Sequence, residues 1–88
     1  MLYPIAIEKP VSTNECYGVI VPDIVGCFSA GDTVDKAVKN AYEAIVLHLD
    51  MLADDGEDIP QATDIAHHQE NPDYQGMIWA VVDIDLSA

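Results

Sequence analysis

Apolar and polar positions alternate from the start of the chain: Tyr3, Ile5 and Ile7 interleave with Leu2, Pro4 and Ala6 before Glu8 and Lys9 close the run. A period of two predicts a strand, and the early proline suits a sheet edge or a strand start. The polar turn stretch PVSTNE follows, and CYGVIVPDI then puts Tyr17, Val19 and Val21 on one face and Ile20 on the other, which completes a hairpin. Residues 26–30 supply a short third strand, with Gly31 and Asp32 turning the chain toward a helix. From Thr33 the rhythm changes. Val34, Ala37, Val38, Ala41, Ile45, Leu49 and Leu52 recur at three- and four-residue steps, the mark of a helix with one buried stripe over 34–53. Thr33 is its expected N-cap, Asp35 suits the first turn, and Gly56 is the expected stop. A short helix is predicted over 64–69. GMIWAVVDIDLS returns to period two, with Ile78, Ala80, Val82, Ile84 and Leu86 on one face and Trp79, Val81, Asp83 and Asp85 on the other.

The order β-β-β-α-(short α)-β predicts an α+β two-layer sandwich, an antiparallel sheet carrying the long helix on one face. If the Ile78 row faces the helix, Trp79 and Val81 point away from it. The open face then carries more apolar surface than water favours, and its expected cover is another chain. The alternative is a Trp79 packed by loop residues of its own chain.

With 88 residues there is room for one domain and one core, 1–88. Charge narrows the function further. Sixteen Asp and Glu stand against Lys9, Lys36 and Lys39, a formal net charge of -13. Nucleic-acid binding draws on Lys and Arg that displace counterions, so direct DNA or RNA binding is not expected, whereas a basic protein surface would be steered in. Cys16 and Cys27 have no framework spacing, and MLYPIAIEKP has neither a basic leader nor a long apolar run, so a cytoplasmic protein with reduced thiols is expected. No segment approaches the roughly 20 apolar residues of a membrane span.

Candidate chemistry is thin, and no cofactor is expected. Asp83 and Asp85 share one strand face and could hold a divalent ion with Glu8, as in a metal-dependent nuclease, but Tyr3 to Ile7 offers no carboxylate to complete the set. Solvated acids are the simpler reading. His67 and His68 are adjacent, so on a helix they point about 100° apart and do not chelate. His48 sits at the edge of the helix stripe. Cys27 lacks a neighbouring base or thiolate-stabilising charge. The dense stretch PDIVGCFSAGDT lacks the spacing of a phosphate loop. It reads as a corner: Gly26 and Gly31 for the turns, Cys27 and Phe28 to fill space, Asp32 and Thr33 to launch the helix.

Taken in order, YPIAIEK, YGVIVPDIVGCFSAGDT and VDKAVKNAYEAIVLHLDMLADDGEDIP resemble the N-terminal domain of the HicB family of antitoxins, over about residues 3–60. The strongest part is Pro22, Asp23, Gly26, Cys27, Phe28, Gly31, Asp32 and Thr33, followed by Ala37, Asn40, Ala41 and Ala44; GMIWAVVDIDLS looks like the family's last strand before its C-terminal region. The resemblance implies a partial, non-catalytic ribonuclease-H-like fold that binds and blocks HicA, a small mRNA-cleaving toxin with a double-stranded-RNA-binding-like fold and a catalytic histidine. It also implies a homo-oligomer, dimer or tetramer, and, in a full-length form, repression of its own operon through a C-terminal ribbon-helix-helix or helix-turn-helix segment. The sequence stops at Ala88, where that segment would begin, so DNA repression is not expected of these residues. A second departure is Lys36, where the family often has an acid that completes a capping box with the threonine; a weaker cap is expected. The expected partner-binding residues are Trp79, Val81, Asp83 and Asp85, with Asp54, Asp55 and Glu57 beside them. The alternatives are a stand-alone HicB-like binding module without a toxin, and the metal-dependent nuclease above.

Overall fold

The computed structural model describes residues 1–12 and 15–85. The elements run β1 (Leu2–Glu8), β2 (Tyr17–Ile20), β3 (Phe28–Gly31), α1 (Val34–Asp54), α2 (Ile65–Gln69), a 3-10 turn (Pro72–Tyr74) and β4 (Ile78–Asp83). The strands form one antiparallel sheet in the order β3-β2-β1-β4, so the last strand returns beside the first. The predicted α+β architecture is the one observed. Leu86 lies outside the described residues.

The predicted stripe of α1 is the buried one: Ala37, Ala41, Ile45 and Leu49 pack with Tyr3, Ile5 and Ile7 of β1, Val19 of β2, Val82 of β4 and Ile84 beyond it. Each fully buried Ile or Leu in this layer stabilises the fold by about 1.5–3 kcal/mol. Small residues at 37 and 41 let the helix approach closely near its N-terminus. There Gly31 is required: a Cβ on it would run into the Ala37 backbone nitrogen and stand 2.7 Å from the Ala37 Cα. Gly31 is therefore a point of contact and not the backbone turn expected of it; the left-handed turn is made by Gly26, at φ 80°.

The corner 21–27 is held by its own backbone. Ile24 N–H donates to the Val21 carbonyl, Cys27 N–H to that of Ile24, and Val21 N–H to that of Cys27. Val21, Ile24 and Cys27 are buried as a consequence. Phe28 is not: it is 65% exposed and points to the side of the sheet away from α1, so the expectation that it fills core space is corrected. Position 28 opens β3 and alternates with buried Cys27, which already occupies the inner side.

Thr33 caps α1, its hydroxyl accepting from the Lys36 N–H at 3.1 Å. The helix ends with Asp54 and Asp55 and has no basic residue in its last turn. The chain then crosses the end of the sheet where β1 begins and β4 ends. Ile59 and Ala62 pack on the core, and the Tyr3 hydroxyl donates to the Pro60 carbonyl. Burial, with the nearby Asp23 charge second, holds the Tyr3 phenol above its ordinary value. Among the described residues no helix is long and apolar enough to cross a membrane.

Candidate partner-binding surface

β4 puts two different faces to use. Ile78, Ala80 and Val82 lie opposite Ile7, Ile5 and Tyr3 and pack toward α1, so Trp79, Val81 and Asp83, opposite Ala6, Pro4 and Leu2, stand on the other face. This is the division expected from the alternation. The cover of the open face differs from expectation. The chain's own segment after residue 64 folds back over it: the His68 ring stacks on Trp79 with centroids 6.2 Å apart, and Tyr74 meets Trp79 edge-on at 5.6 Å. Trp79 is thus half-buried by loop residues of its own chain. Val81 remains 46% exposed.

What anchors that segment lies far from it in sequence. Asp23 sits just past β2, and its carboxylate accepts from the Thr63 N–H and the Thr63 hydroxyl, both at 2.7 Å, and lies 2.9 Å from His68 Nε2. The Thr63 hydroxyl is also 2.8 Å from that ring nitrogen. Burial by itself would raise the Asp23 carboxyl, but the Thr63 bonds and the His68 ring outweigh it and hold the group below the usual carboxylate range. Three polar groups closed on one another in this way make a clasp and not a relay, because the same ring nitrogen faces both partners. Nothing in the sequence joins residues 23, 63 and 68. A polar residue at a strand end is the ordinary mark of a turn, and the pairing exists only once the chain has crossed the sheet.

The remaining expected residues gather at one end of the molecule. Asp83 is exposed and lies 3.7 Å from the Met1 ammonium, and Asp85 follows β4 at the surface. Asp54, Asp55 and Glu57 are exposed at the end of α1. Because the chain after Glu57 reaches Tyr3 at Pro60, the acids of the helix end and those of β4 approach the same end of the sheet. On the other side, the corner and the 3-10 turn enclose a shallow cleft of about 320 Å³, lined by Ile20, Pro22, Val25, Phe28, Asp73 and Tyr74 among others. Val25 and Phe28 stand exposed beside it, an apolar surface the sequence reading did not single out.

The catalytic alternatives find no geometry. Asp83 pairs with Leu2 at one end of the β1–β4 ladder and Glu8 lies past its other end, six residues along β1 or about 20 Å away at strand spacing, so the nuclease set does not converge. Among the described residues no three His, Cys, Asp or Glu side chains are placed to hold a metal ion. The Cys16 thiol donates to Asp32 at 3.3 Å, which pushes its pKa up; burial does the same for Cys27. Both shifts oppose a thiolate nucleophile.

Residues 3–88 match the profile of the HicB-like antitoxin of bacterial toxin-antitoxin systems. An uncharacterised 14.9 kDa protein of Haemophilus phage HP1 is 47% identical over 87 residues, covering 99% of this chain and 63% of the phage protein. The crystal structure of the N-terminal domain of Burkholderia pseudomallei antitoxin HicB superposes with a TM-score of 0.85 at 42% identity, over 98% of this chain and 100% of that one. A chain of the HicA3 and HicB3 toxin-antitoxin complex superposes with a TM-score of 0.79 at 38% identity, over 97% and 99%. This chain therefore spans less than two thirds of the length of its phage relative.

Proposed function

The chain belongs to the HicB-like antitoxin family of bacterial toxin-antitoxin systems, and we propose that it acts without catalysis of its own, binding a basic, HicA-like mRNA-cleaving toxin in the cytoplasm and denying RNA access to the toxin's active site. The observation that carries this reading is the acidic end of the molecule. Asp54 and Asp55 sit at the C-terminus of α1, where negative charge is unfavourable to the helix dipole by about 0.3–1 kcal/mol each. Charge placed against local stability is explained by a partner. A protein that grips RNA is basic, so the same field that repels RNA from this chain attracts such a toxin. Exposed Val81 beside Trp79 supplies an apolar contact next to those acids, which makes Trp79, Val81, Asp83 and Asp85 the proposed centre and Asp54, Asp55 and Glu57 the steering rim.

Likeness to a chain of a toxin-antitoxin complex supports the reading. In it, residues 1–88 form a single domain that self-associates into a dimer or tetramer, while repression of the operon would require a DNA-binding segment outside these residues. The test is co-expression with the small basic reading frame beside the gene. Growth is expected to be rescued and the basic protein to copurify; toxicity unchanged, with no copurifying protein, would sink the antitoxin role and leave a HicB-like module with another partner.

A further inference from the structure

The two edges of the sheet are not equivalent, and hydrogen-bond parity shows how. The Met1 ammonium donates to the Ile84 carbonyl and the Ile84 N–H to that of Met1, both at 2.7 Å, so this pair exchanges both of its bonds. In an antiparallel ladder such pairs alternate with pairs that exchange none. Counting along the observed register, Tyr3–Val82, Ile5–Ala80 and Ile7–Ile78 are the bonded pairs, and Leu2–Asp83, Pro4–Val81 and Ala6–Trp79 are not. Pro4, which has no N–H to give, falls in an unbonded pair, as this parity requires. The N–H and C=O groups of Trp79, Val81 and Asp83 therefore point away from β1, outward from the sheet. Among the described residues no backbone hydrogen bond from outside the sheet reaches them.

The opposite edge is blunted. The Val21 N–H bond to Cys27 fixes the parity there, and it turns the groups of Phe28 and Ala30 outward. The Ala30 carbonyl is already taken by the Asn40 side chain at 2.8 Å, and β3 is only four residues long. β4 has none of the usual guards. It runs six residues as Ile-Trp-Ala-Val-Val-Asp, with no Lys, Pro or bulge and its one charge at the end. Half-buried Ile78 and Ala80 flank the edge on the helix side, and Trp79 and Val81 on the other.

We propose that the free edge of β4 is a docking edge, on which an extended segment of a basic partner adds as a fifth strand, hydrogen-bonded to the outward groups of Trp79, Val81 and Asp83. This rests on the antitoxin reading and deepens it, because it makes the toxin that partner and assigns the contact to backbone as well as side chains. Charge decides against a second copy. Another chain of net charge -13 brings no Lys in or next to its own β4 to meet Asp83 and Asp85, whereas a strand flanked by Lys or Arg meets both. The flanking apolar side chains then receive alternate residues of the added strand on the two faces.

The experiment is residue-resolved amide exchange by NMR, on the chain alone and in complex with a catalytically inactive HicA-type toxin. In the free chain the amides of Trp79, Val81 and Asp83 are expected to exchange at the rate of open peptide while Ala80 and Val82 are protected. In the complex all three should slow by about 100-fold or more. A complex that forms with the three still exchanging freely overturns the docking edge and leaves the antitoxin role standing; no complex at all sinks both. Protection in the free chain together with a dimer mass assigns the edge to a second copy and overturns the proposal. Val81→Pro removes an outward N–H without touching a bond to β1, so it should fold, checked by its urea midpoint, yet weaken toxin binding about tenfold or more. Val81→Thr, which keeps the N–H, should stay within about threefold. A folded Val81→Pro variant with undiminished affinity overturns the proposal.

Discussion

His68 Nε2 stands 2.9 Å from the Asp23 carboxylate, joining a residue just past the second strand to one 45 positions later, with the Thr63 amide and hydroxyl on the same two oxygens. Replacing Asp23 by Asn removes the charge that these donors serve and should cost about 1–3 kcal/mol in urea unfolding near pH 7. The sign with pH follows from a folded-state value held below the unfolded one. The contribution of Asp23 is fully present above the unfolded value near 4, and it is lost as pH falls through the folded one. The gap in stability between wild type and Asp23→Asn should therefore be constant at neutral pH and close below about pH 4. A gap that widens in acid would contradict the structure.

Gly31→Ala tests the contact between β3 and the helix start. The new methyl meets backbone of Ala37 and Lys36, which cannot rotate away. Destabilisation of about 3 kcal/mol or more is expected by urea or thermal unfolding. Gly18→Ala is the control for a strand glycine, since its Cβ would meet nothing within 4 Å, and it should cost no more than a few tenths of that amount.

At the helix start, Thr33→Ala removes the oxygen that accepts from Lys36 N–H and should cost about 1 kcal/mol. Lys36→Glu should act in the opposite direction. It restores the reciprocal half of a capping box and places a negative charge in the first turn, adding about 0.5 kcal/mol at low salt. Thermal melts of the single and double variants check the coupling: in the Thr33→Ala background the gain from Lys36→Glu should shrink.

Asp54 and Asp55 give a prediction of two opposed signs. Replacing both with Asn should raise the thermal midpoint of the free chain, because the helix C-terminus is relieved of negative charge. The same change should slow association with the toxin and flatten its salt dependence, with dissociation little altered. Faster dissociation with association unchanged would show that these acids are bound-state contacts and not a steering rim.

How far the sequence could be read follows from the range of each interaction. Periodicity finds the strands and α1 because burial repeats locally, and Thr33 is legible because a cap is made within three residues. Gly31 and Gly26 look alike in sequence, yet one serves a helix packed above it and the other a turn. Cys27 and Phe28 both read as space-filling residues of the corner, whereas their alternate positions at the start of β3 send one into the core and the other out. The Asp23–Thr63–His68 clasp and the stacking of His68 and Tyr74 on Trp79 depend on a chain crossing that no spacing encodes. Net charge spoke to the kind of partner and the family resemblance to its identity, and neither singled out a surface.

The return of the chain over the open face has one more effect. Neither α2 nor the 3-10 turn contains a buried residue, so residues 64–76 are held to the rest by the Asp23 clasp and the ring contacts of Trp79. The core layer of Tyr3, Ile5, Ile45 and Leu49 does not depend on them. The protein is thus a hard layer carrying a hinged cover, and the cover can open at a fraction of the cost of global unfolding. Limited proteolysis should cut first within 64–76, and the two fragments should stay together, because β4 remains zipped to β1 after the cover has been severed.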